Sequence, residues 1–158
     1  MHILAAKSPA GRRPARGFTL VEVLVALVVM SVGMLGIAAL YLEGLRWGRT
    51  AQYRTAAVSL AADMADRIRA NPVAGVAYAG TGPGADSGCV NGNSDCSADQ
   101  LAADDWFGWS QALAQQLPDG ATGEIALSAA PPLTYTVTVS WPEIGLESPA
   151  TYSLRLQP

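Results

Sequence analysis

Beyond residue 17 the chain contains no lysine and no histidine; Lys7 and His2 both lie before that point. A Ser-His-Asp triad and lysine-based nucleophilic catalysis are therefore excluded from residues 18–158, and no G-x-S-x-G is present. Positive charge is scarce at the far end: past Pro72 only Arg155 is basic, against nine acids. Residues 18–158 hold six arginines and 13 acids, a net charge of −7. Such a surface repels phosphate backbones, so no direct nucleic-acid binding is expected of it. There are two cysteines, too few for a structural zinc site, which takes four protein ligands. Proline is absent between Phe18 and Asn71, so nothing in that stretch forbids a continuous helix.

What is present is a long apolar run. Val23 to Leu42 is 20 residues without a charge, enough to cross a hydrocarbon core of ~30 Å. It exceeds the apolar core of a secretory signal, and no A-x-A cleavage site directly follows. Before it stand Lys7, Arg12, Arg13 and Arg16 with no acid. This flank predicts a cytoplasmic N-terminus and an exported remainder. On the exported side, Cys89 and Cys96 are expected to form a disulfide, worth about 2.5 kcal/mol for so small a ring by loop-closure entropy.

The pattern predicts one helix over residues 18–71, half in a membrane and half packed on a domain. Tyr53, Ala57, Leu60, Met64 and Ile68 share one face in its second half. Asp63 and Arg67 form an i,i+4 pair, and Asn71-Pro72 is a stop. Residues 72–98 read as loop, rich in glycine. Leu101, Trp106, Trp109, Leu113 and Leu117 suit one or two short helices over 99–117. In LTYTVTVSW, residues 133–141, apolar Leu133, Tyr135, Val137, Val139 and Trp141 alternate with Thr and Ser, the signature of a half-buried strand. Ile125 and Leu127 suggest a strand before it; Tyr152, Leu154 and Leu156 suggest one after, so strands are expected within 121–156. The expected fold is α+β: a long N-terminal helix packed on a small antiparallel sheet. The adjacent acids Asp104 and Asp105 read as solvated, or as capping a helix. Asn91, Asn93, Asp95 and Asp99 space their oxygens somewhat as a calcium loop does. Cys96 occupies the place of its glycine, so no metal site is assigned.

The basic leader, then Gly17-Phe18-Thr19-Leu20-Val21-Glu22, then an unbroken apolar run resembles the N-terminus of type IV prepilins and pseudopilins. VEVLVALVVMSVGMLGIAAL followed by AADMADRIRANP is similar to PilV-type minor pilins, the type IV pilus modification proteins. The likeness covers residues 17–72, and TYTVTVSW is also similar. The resemblance implies a leader of residues 1–17, cut between Gly17 and Phe18 by a prepilin peptidase, and N-methylation of Phe18. It divides the helix into an assembly half, 18–42, and an amphipathic half, 43–71, ahead of a periplasmic domain, 72–158. It further implies partners: other minor pilins, the major pilin, and an inner-membrane assembly platform. Glu22 would pair with the Phe18 amine of a neighbouring subunit. No catalytic residue and no cofactor are implied. A minor pseudopilin of the I-type from a type II secretion system shares this architecture, and a signal-anchored periplasmic enzyme is the reading from another class.

Overall fold

The computed structural model describes residues 17–90, 95–128 and 130–158. They fall into two compact units that divide between Gly44 and Leu45. Helix α1, Leu20–Ala70, runs through both. In the first unit every described side chain is exposed, although the most apolar 18-residue window of α1 has a mean hydropathy of 2.7. An apolar helix with no covering residues of its own needs lipid or another protein around it.

The second unit has the core. Ala57, Leu60, Ala61, Met64, Ala65 and Ile68 of α1 are buried, and Tyr53 packs at the edge. Ala61 and Ala65 extend the expected stripe; their small side chains let neighbours approach the helix closely. After Asn71-Pro72 the chain turns into a 3-10 segment, Pro72–Tyr78, where a loop was expected. It is ordered because it is tied on both sides: Tyr78 is fully buried, and the Tyr135 hydroxyl donates to the Gly75 carbonyl at 2.9 Å.

Helix α2, Ala98–Gln116, is one helix of 19 residues. Ser97 accepts from the Gln100 amide, and the Gln100 side chain accepts from the Ser97 amide. This reciprocal capping satisfies two of the donors that a helix start leaves open. Strands β1 (Thr122–Leu127), β2 (Tyr135–Trp141) and β3 (Ala150–Leu156) form an antiparallel sheet in the order β1-β2-β3. Tyr135, Val137, Val139 and Trp141 point into the core, as the alternation requires. Leu133, expected to open that strand, lies before it and is 43% exposed. The Thr134 carbonyl accepts from the Ser128 amide at 2.8 Å, in register with the first ladder pair, Tyr135 opposite Leu127. The long helix packed on a three-stranded antiparallel sheet is the α+β arrangement expected from the sequence.

Trp109 joins the three layers. It is fully buried and donates its indole N–H to the Leu60 carbonyl of α1 at 2.8 Å. Its ring fills the space above Gly123 of β1, where a Cβ would come within 2.1 Å of it. Trp106 meets it edge-on, with ring centroids 5.2 Å apart.

Candidate functional site: the cleavage junction and first helical turn

Gly17, Phe18 and Thr19 precede α1. Among the described residues no atom beyond its chain neighbours lies within 4 Å of where a Gly17 Cβ would sit, and Phe18 is 82% exposed. The junction is therefore open to an enzyme among the described residues. The leader, residues 1–16, lies outside those described.

Thr19 starts the helix. Its Oγ1 accepts from the Glu22 amide at 3.2 Å, and its carbonyl accepts from the Val23 amide. Thr19-Leu20-Val21-Glu22 is the T-x-x-E that signals a helix cap before an apolar run, a role not assigned to Thr19 from the sequence. Glu22 is thereby fixed in the first turn, where the exposed amides and the helix dipole favour negative charge. Phe18, Glu22, Ala26 and Met30 follow one another at four-residue steps, with Val23 and Leu27 beside them. One carboxylate thus emerges from an otherwise apolar surface, four residues past the proposed new N-terminus. The junction and Glu22 sit together at one end of α1; the cysteines belong to the other unit.

Cys89 and Cys96 are joined by a disulfide, with their Cα atoms 5.9 Å apart. Two acids of α2 overturn a sequence-based expectation. Asp104 and Asp105 are both buried, in the middle of α2, and neither is solvated nor capping. They point different ways. Asp104 accepts from the Ser87 and Val90 amides at 2.6 and 3.0 Å. Asp105 accepts from the Tyr78 hydroxyl at 2.5 Å and from Arg67 at 3.0 Å. Arg67 also binds Asp63 at 2.9 Å, so the expected helical pair is one arm of a longer network. Asn71 Nδ2 donates to the Ala98 carbonyl at 2.8 Å. The segment ADMADRIRANP thus supplies the polar joint that fastens the end of α1 to α2. Burial, then the bond to Asp105, raises the Tyr78 hydroxyl well above its usual value and keeps it a donor.

The Ser87 amide, and after it the Val90 amide, hold the Asp104 carboxyl below the usual carboxylate range. A folded-state value below the unfolded one, about 3.9, means a contribution to stability that is complete above that pH. It is lost as pH falls through the folded value. Asp104→Asn is expected to weaken the fold at neutral pH and to flatten its loss of stability below about pH 4. Urea midpoints of both chains across that range check this; parallel acid limbs would refute it.

Asn91 and Asn93 of the calcium-like pattern lie outside the described residues. Among the described residues no group of three His, Cys, Asp or Glu side chains is placed to hold a metal.

Residues 12–38 match the prokaryotic N-terminal methylation motif, and residues 39–107 match the type IV pilin Tt1218-like family. No curated protein and no solved structure matches the chain. Together with the long helix packed on a three-stranded antiparallel sheet, these two adjoining matches support a type IV pilin.

Proposed function

We propose that this chain is a minor pilin of the PilV type, which takes part in the assembly or initiation of a type IV pilus within a tip or priming complex. In this role it affects piliation, twitching motility and adhesion. Prepilin peptidase removes residues 1–17 and methylates the Phe18 amine. Before assembly the protein crosses the inner membrane once through residues 18–42, with its N-terminus in the cytoplasm and residues 72–158 in the periplasm. It then leaves the bilayer for the cell-surface filament. Residues 43–71 carry the domain on the stem, and the stem packs among those of other minor pilins and the major pilin at the assembly platform.

The observation that carries this reading is a single carboxylate, Glu22, in the first turn of a helix whose next 20 residues are uncharged and uncovered. A charge at the centre of a bilayer costs about 2.5–3.5 kcal/mol by insertion scales, and less towards the edge. An ammonium from a neighbouring stem offsets that cost and fixes the axial offset between stems, which apolar contacts leave free to slide. The test is the intact mass of the protein purified from pilus-bearing cells. It should equal residues 18–158 with one added methyl group; a chain still carrying residues 1–17 refutes the reading.

A further inference from the structure

The arm that precedes the disulfide lies on the backbone of α2. The Ala85 amide donates to the Ala103 carbonyl at 3.0 Å, and Ser110 donates to the Pro83 carbonyl at 3.3 Å. Gly84 sits so close that a Cβ there would fall 2.2 Å from the Ala103 oxygen. Asp104 then takes the Ser87 and Val90 amides, one on each side of Cys89. The other cysteine is held independently: Cys96 adjoins Ser97, whose reciprocal bonds with Gln100 close the first turn of α2. Both cysteines are thus anchored to one rigid helix by contacts that involve neither sulfur.

We infer that Asp104 is a positioning residue for the Cys89–Cys96 bond, holding the two thiols of the reduced chain side by side on α2 before they are oxidised. The partner reaction is exchange with a small disulfide such as oxidised glutathione. One cysteine thiolate attacks a glutathione sulfur and releases one glutathione. The second cysteine then attacks the mixed disulfide and releases the other. Two protein thiols lose two electrons and two protons, and both pass to glutathione. Asp104 takes no part in these steps. It raises the effective concentration of one thiol at the other, as any fixed geometry does.

The full chain in detergent, equilibrated in mixtures of reduced and oxidised glutathione and weighed after alkylation, gives the ring-closure constant. Asp104→Ala should lower it about tenfold or more, since two hydrogen bonds to a charged acceptor are lost. Asp104→Asn keeps one acceptor oxygen and should fall between. Asp105→Asn loosens the same helix on its other side, towards Tyr78 and Arg67, and should leave the constant unchanged. An unchanged constant in Asp104→Ala and Asp104→Asn overturns the inference. So does an equal fall in Asp105→Asn, because general loosening would then explain it. A second readout needs no sulfur chemistry: with both cysteines replaced by serine, the Ser87 and Val90 amides should exchange with solvent at least about tenfold more slowly than when Asp104→Asn is added. Equal exchange rates also overturn it.

Discussion

Trp109→Ala is expected to cost about 3–5 kcal/mol, the largest loss from any single truncation in the C-terminal unit. The indole is fully buried and contributes to three layers at once. It covers Gly123 on β1, donates to the Leu60 carbonyl on α1, and meets Trp106 within α2. The site cannot collapse well around the vacancy. Gly123 has no side chain to move in, and the strand is held by its ladder with β2. Leu113, whose methyl also approaches Gly123, reaches only one edge. The reverse change makes the same point, because Gly123→Ala would drive a methyl group into the ring and should cost about 1–3 kcal/mol through overpacking. Trp47→Ala is the control: that ring is 67% exposed and should matter by no more than about 0.5 kcal/mol. Denaturant midpoints of the full chain in detergent, followed by circular dichroism, decide it. A loss below about 1 kcal/mol for Trp109→Ala would mean that the layers are held elsewhere.

These effects mark the boundary of what the sequence makes legible. Periodic features can be read because they repeat. Val137, Val139 and Trp141 alternate with hydroxyl residues and do face the core; Leu60, Met64 and Ile68 recur at helical steps and do line α1. Asn71-Pro72 ends the helix because proline cannot continue it and its predecessor avoids helical geometry. Features created by distant partners have no period. Asp104 and Asp105 look like surface acids until the fold brings Ser87, Val90, Tyr78 and Arg67 to them, from 14 to 38 positions away. Gly123 looks like a weak strand residue until Trp109 covers it. The 3-10 segment after Pro72 depends on Tyr78 and on Tyr135, 60 positions beyond Gly75. At the N-terminus the signal is local, so the sequence alone marks Gly17, Phe18 and Glu22 as candidates. The Thr19 cap is equally local, a T-x-x-E at the head of the apolar run.

If the chain is processed and assembled as proposed above, replacing Glu22 by alanine should leave cleavage and methylation largely intact and lower the amount of protein in pili by about tenfold or more, which corresponds to ~1.4 kcal/mol or above. Two physical accounts of this residue predict different companions. In the first, Glu22 matters only inside its own helix. A carboxylate in the first turn, next to the Thr19 cap, stabilises the helix start by about 0.3–1 kcal/mol. A neutral residue would give up at most that, and pilus content would fall by less than about sixfold. In the second account, Glu22 matches the ammonium of a neighbouring Phe18 in a low-dielectric setting. Removing one partner then leaves the other charge buried and unpaired, which is far costlier than losing the pair together. Glu22→Gln separates the two, since it keeps size, polarity and helix propensity and removes only charge. The ion-pair account requires glutamine to fail as badly as alanine. It also requires Ala26→Glu, one turn further along the same face, to fail as a rescue in the alanine background, because the axial offset would be wrong by one turn. The measurement is the ratio of this protein in sheared pili to that in membranes. Wild-type ratios for Glu22→Ala, or a ratio restored by glutamine, would show that the carboxylate serves its own helix and not the docking of one stem on another.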